Sequence, residues 1–136
     1  MEDFIFEMEM KVRDYELDCE QIVNNAVYLH YLEHTRHEFC EWAGVTFKQM
    51  HEQGMDPVLN KVEIEYKHPL RSNDVMVSKL WVEMKGARFV FHQSIFIKAT
   101  GALSVKAVVS VVFLENGRLS RARKIREAFA KYLREE

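Results

Sequence analysis

Along this chain apolar positions recur every second residue, then every third or fourth, then every second again. Residues 4–13 alternate from Phe6: Phe6, Met8, Met10 and Val12 point one way, and Glu7, Glu9, Lys11 and Arg13 the other. That period predicts a half-buried strand. Residues 14–24 follow neither period and read as a loop. From Asn25 to Trp42 the apolar positions are Tyr28, Tyr31 with Leu32, Thr35, Phe39 and Trp42. Spacings of three and four make that segment a helix with one buried stripe. Asn24 or Asn25 suits its N-cap, and Gly44 suits its stop. Residues 46–54 predict a short second helix ending at Gly54.

Beyond Gly54 the period returns to two. Val62, Ile64 and Tyr66 alternate with Glu63 and Glu65, predicting a strand over 58–67 that Pro69 ends. Residues 74–84, 88–99 and 103–114 predict three more strands, rich in Val, Ile and Phe. Lys85-Gly86, Thr100-Gly101 and Asn116-Gly117 supply the turns that follow them. Residues 118–136 predict a terminal helix with Leu119, Ala122, Ile125, Phe129 and Leu133 on one side. The expected order is therefore strand, long helix, four strands in meander and a short helix, an α+β arrangement. One long helix covers one face of such a sheet. The other face and the sheet edges need cover, which points to at least a dimer.

Composition narrows the function more than the fold. The 136 residues make one domain, 1–136. A content of 48% hydrophobic and 29% charged residues belongs to a globular chain. A net charge of −2 argues against nucleic acid as a partner, so any polyanionic ligand must meet a local basic patch. Cys19 and Cys40 form neither a disulfide framework nor a zinc-ligand spacing, which suggests reduced thiols and a cytoplasmic setting. The acidic start, Met1-Glu2-Asp3-Phe4, lacks an apolar signal core. No apolar run approaches the roughly 20 residues that span a bilayer.

The chemistry concentrates between Lys11 and Phe39. Asp18 lies in the loop joining an apolar strand to the start of an apolar helix. The first turn of a helix offers unpaired N–H groups and a partial positive charge. A carbonyl set against them is polarised as its oxygen gains charge. Asp is also common before helices for turn chemistry alone. His30, His34 and His37 share one helix face, but without an HExxH pattern they read as a solvated face and not as a metal site. Glu38 is a second carboxylate on the helix. Cys19 has no evident base at useful spacing, and His92 reads as a core or interface histidine.

The run VRxYxLDxxxxVNNxxYLxYLExxRxE, carried by Val12, Arg13, Tyr15, Leu17, Asp18, Val23, Asn24, Asn25, Tyr28, Tyr31, Arg36 and Glu38, resembles the 4-hydroxybenzoyl-CoA thioesterase branch of the hotdog superfamily. It is similar to long-chain acyl-CoA thioesterases of the thioesterase III type and to plant acyl-lipid thioesterases. Further on, Tyr66, Pro69 and Asp74 keep the family spacing. The resemblance implies a hotdog fold, an antiparallel sheet of about five strands wrapped around a long central helix. It implies hydrolysis of a fatty acyl or related acyl or aryl thioester of CoA, or of acyl carrier protein, with no cofactor or metal. It assigns Asp18 as nucleophile or general base, and the backbone N–H of Asn25 or its neighbour as oxyanion donor. The Asn25 side chain can orient water or the thioester, or serve as a plain cap. Asn24, Tyr28 and Tyr66 would line the substrate, and Arg88 and Lys98 would meet its phosphates. Arg71, Lys106 and five basic residues from Arg118 to Arg126 are alternative phosphate ligands. The expected assembly is a homodimer or homotetramer. One departure stands out: many relatives carry glycine before the helix, where this chain has Glu20-Gln21. That departure leaves open a non-catalytic acyl-CoA-binding module. A hydratase would want an Asp/His pair five apart, and Asp18 is followed by Val23.

Overall fold

The structure is a computed structural model and describes residues 2–135. Strand β1 (Phe6–Lys11) leads through a 3-10 turn at Asp14–Glu16 to helix α1 (Asn25–Trp42) and a short helix α2 (Phe47–Glu52). Strands β2 (Met55–Tyr66), β3 (Val75–Lys85), β4 (Arg88–Ile97) and β5 (Leu103–Glu115) follow. The chain ends with β6 (Arg118–Ser120), α3 (Arg123–Phe129) and β7 (Leu133–Glu135).

The five long strands form one antiparallel sheet in the order β1-β3-β4-β5-β2. It curls around α1, the arrangement the family resemblance implies. The expected four-strand meander is corrected here. Strands β3, β4 and β5 are joined by hairpins, but β2 pairs with β5 and not with β3. Residues 67–74 make the crossing. They are too many for a tight hairpin, and their polar groups are engaged elsewhere. Lys67 N–H donates to Ser104 O at 2.7 Å, and Val23 N–H to Leu70 O at 2.9 Å. The segment therefore crosses the N-terminal end of α1.

Alternation explains the sheet's inner face. Met76, Ser78, Leu80 and Val82 of β3, Phe89, Phe91, Gln93 and Ile95 of β4, and Val105 and Val109 of β5 are all buried. Against them α1 buries Leu32, Thr35 and Phe39, and the Thr35 and Ser78 hydroxyls share a hydrogen bond of 2.7 Å. The Asn24 cap is present, its Oδ1 accepting from Ala26 N–H at 2.9 Å. Gly44 ends the helix with φ +94°, a conformation open to glycine because it lacks Cβ. Trp42, expected in the buried stripe, is half exposed. It packs at the rim, 4.9 Å between ring centres from Tyr132.

The expected terminal helix over 118–136 is also corrected. Asn116-Gly117 closes a hairpin, so Arg118–Ser120 pairs with the end of β5 and leaves Leu119 exposed. Ala122 then adopts a left-handed conformation, φ 49°, and only seven residues remain helical. Leu133–Glu135 runs parallel to β3 beside Val82–Met84, where β1 no longer covers that edge. Local periodicity signalled a helix, but unpaired strand edges compete for the same backbone donors and acceptors.

Candidate active site

Asp18 occupies the tip of a small loop whose arms are joined by the Leu17–Val23 bridge. Its N–H donates to Ile22 O at 2.8 Å, and Gln21 N–H donates back to Asp18 O at 3.0 Å. The carboxylate Oδ1 accepts from Glu20 N–H at 2.8 Å. This is an Asx-turn, the local chemistry Asp favours. Oδ2 has no hydrogen-bond partner among the described residues. Gln21 closes the turn at φ 64°. Gln21 therefore holds a left-handed geometry under steric strain from its Cβ.

From this loop the chain passes directly into the cap of α1. Ala26 N–H is taken by the Asn24 side chain and Val27 N–H by Asn24 O. Asn25 N–H has no partner among the described residues. The first free donor of an 18-residue helix thus lies seven residues beyond Asp18. Its partial positive charge comes from the aligned peptide dipoles behind it.

Asn25, Tyr28 and Tyr66 meet in one hollow, about 220 Å³, together with Lys67, His68 and Pro69 of the crossing segment. Tyr66 OH donates to Asn25 O at 3.2 Å, and its ring stands edge-on to Tyr28 at 5.5 Å. Tyr28 OH accepts from Leu70 N–H at 2.9 Å, tying the crossing segment to the helix. Asp18 and Asn24 do not line this hollow. Asn24 acts as the cap of α1. Lys98 pairs with Glu9 at 3.0 Å. Arg88 begins β4 and Lys98 follows its end, so they are separated by about 30 Å of strand and are not brought together. Lys67 and His68 are the polar residues that sequence reasoning missed at this hollow. The Pro69 that follows them was the available signal.

A second missed group supports the helix from below. Glu16 is buried and accepts from Tyr31 OH at 2.8 Å, from Arg13 N–H at 2.8 Å and from the Arg13 guanidinium at 3.1 Å. Burial first, and then the Glu16 carboxylate, push the Tyr31 hydroxyl well above its ordinary pKa, so it stays a donor. Arg36 is likewise buried and donates to Gln93 Oε1 at 3.0 Å. Its place four residues after Leu32 and three before Phe39 puts it on the apolar stripe, a signal readable in advance. His34 lies 3.5 Å from Glu38, and no group of three or more potential metal ligands occurs among the described residues.

Residues 12–133 match the thioesterase-like superfamily. The chloroplastic acyl-acyl carrier protein thioesterase ATL3 of Arabidopsis thaliana is 37% identical over 111 residues, 81% of this chain. The chain covers only 58% of that relative's length. The long-chain acyl-CoA thioesterase FadM of Escherichia coli is 28% identical over 108 residues, 79% of this chain and 81% of FadM. Among solved structures, a hypothetical protein from Aquifex aeolicus superposes with a TM-score of 0.85 at 28% identity, covering 91% of this chain and 98% of that one. A 1,4-dihydroxy-2-naphthoyl-CoA thioesterase from Synechocystis shares the fold, with a TM-score of 0.84 at 15% identity over 92% of this chain and 95% of that one.

Proposed function

This chain belongs to the thioesterase-like superfamily, and we propose that it hydrolyses an acyl thioester of coenzyme A or of an acyl carrier protein to the free acid and thiol. The observation that carries this reading is the unpartnered Asn25 N–H at the start of α1, one bridged loop away from Asp18. A thioester carbonyl set against that N–H gains stabilisation as its oxygen becomes an oxyanion. Asp18 then attacks the carbonyl carbon, giving a mixed anhydride that water opens, or it takes a proton from an attacking water. In both routes the sulfur leaves as thiolate and is reprotonated. Tyr28 and Tyr66 border the acyl chain where it leaves the carbonyl. Lys67 lines the same hollow as a cation that can meet a substrate phosphate, with His68 beside it.

The hydrolase works as a homodimer or homotetramer in this reading. Strand β2 ends the sheet with one twelve-residue edge unpaired among the described residues, and Val58 and Leu59 on it are exposed. Such an edge is a template for pairing with a second copy.

A thiol-release assay across acyl-CoA and acyl-carrier substrates tests the activity. Hydrolysis of at least one chain length is expected. Binding with no release of thiol from any substrate would turn the reading to a non-catalytic acyl-CoA-binding module.

A further inference from the structure

Three hollows lie in a row beside α1, with residues of β2 in the wall of each. The first is the one holding Asn25, Tyr28 and Tyr66. The second is lined by Leu29, Leu32, Val62 and Val109. The third, about 210 Å³, is walled by Phe89, Phe91, Phe113 and Phe129. The second and third share Glu33, Arg36 and Leu59 in their walls, so they adjoin. Along the helix, Asn25 and Arg36 are separated by about 16 Å at 1.5 Å per residue, the length of roughly a dozen methylenes.

Arg36 is the feature this lining does not explain. It is 8% exposed, yet it forms no ion pair and makes one hydrogen bond, to Gln93, among the described residues. A guanidinium carries five donors and no acceptor. Gln93 is spent as well, its Nε2 donating to Leu32 O at 3.0 Å. Glu33, exposed at the mouth, lines the same two hollows and offers an acceptor carboxylate. A plain methyl terminus leaves the buried Arg36 unanswered. A second carboxylate would be repelled by Glu33. A hydroxyl accepts from Arg36 and donates to Glu33, and so satisfies both.

We infer that the acyl chain runs along α1 from Asn25 into the third hollow, and that Arg36 with Glu33 reads a hydroxyl at its distal end, so the preferred substrates are ω-hydroxyacyl thioesters of about a dozen carbons. This specificity rests on the hydrolase reading above. Hydrogen bonds to a buried charge discriminate strongly against analogues that lack the partner.

The test compares kcat/KM for ω-hydroxydodecanoyl-CoA, dodecanoyl-CoA and the mono-CoA thioester of dodecanedioic acid in the unaltered protein. The hydroxylated chain is expected to exceed both others by about tenfold. In Arg36→Met that ratio should collapse toward unity, and Arg36→Lys should retain part of it. A ratio of one or below in the unaltered protein overturns the inference, and that measurement does not depend on any variant folding. An unchanged ratio in Arg36→Met also overturns it, all the more if the variant dissociates an oligomer, because Arg36 would then serve a subunit contact. Failure to hydrolyse any thioester sinks the hydrolase reading instead. In that case calorimetric titration with free ω-hydroxydodecanoic acid against dodecanoic acid reads the hollow directly, and equal affinities overturn the assignment.

Discussion

Asp18 commits one carboxylate oxygen to its own turn and keeps the other clear of protein donors. Asparagine reproduces the first role, because its side-chain oxygen can still accept from Glu20 N–H, but it cannot act as base or nucleophile at neutral pH. Asp18→Asn is therefore expected to lower kcat for thioester cleavage by about 10²–10⁴-fold with the thermal midpoint unchanged. Near-parent turnover in the folded variant would sink the catalytic role. Gln21 holds the left-handed corner of the same loop. Relief of about 1–2 kcal/mol of left-handed strain outweighs the roughly 0.5–1 kcal/mol of chain entropy that glycine adds. Gln21→Gly should then raise unfolding free energy in urea by about 0.5–1 kcal/mol, and a loss of stability would contradict the account. The two cysteines should also separate cleanly. Cys19 is exposed, whereas burial pushes the Cys40 thiol up to about 12. Thiol titration of the native protein is expected to find one fast-reacting group, and denaturant should release the second.

At the scale of elements, α1 depends on its first turn and on its stripe. Asn24→Ala removes the Oδ1 acceptor of Ala26 N–H and is expected to cost about 1 kcal/mol in urea unfolding. It should also depress turnover, because a frayed first turn no longer holds Asn25 N–H in place. The bounds of α1 were legible in the sequence, as were the alternating strands, because each element's own residues carry its period. The C-terminal segment was not. Its apolar residues fit a helical stripe, yet Leu133–Glu135 pairs with β3 and the Arg134 guanidinium lies 4.0 Å above the Trp81 ring. Trp81 is also stacked on His92 at 3.9 Å, and its indole N–H reaches Glu2 at 2.5 Å. Arg134→Ala is expected to cost about 1 kcal/mol in the same assay. No change would mean that the contact on this outer face adds nothing to stability.

For the whole molecule, the question is which surfaces a second copy would cover. The sequence reading expected one open sheet face to need a partner. The structure modifies that need, since residues near both ends of the chain already cross the outer face at Trp81 and at Lys106, which lies 3.5 Å from Glu2. The β2 edge and the exposed Leu29, Val58 and Leu59 beside it carry the argument instead. Light scattering at micromolar concentration should report a dimer or tetramer, and a monomer there would count against pairing through this edge.

The loop that holds Asp18 and the Asn24 cap of α1 were readable because both lie within one short stretch whose roles are local: a turn, a cap and a helix start. Local periodicity likewise marked out α1 and the five long strands, though not the C-terminal segment. The tertiary structure alone decided which strand neighbours which, since β2 and β5 pair from Tyr66–Val105 to Met55–Glu115, far apart along the chain. It alone brought Tyr66 and His68 to Asn25, and set Arg36 against Gln93. Those contacts depend on where the 67–74 crossing carries the chain. Sequence period reports which way a side chain faces within its element and is silent on what stands opposite it.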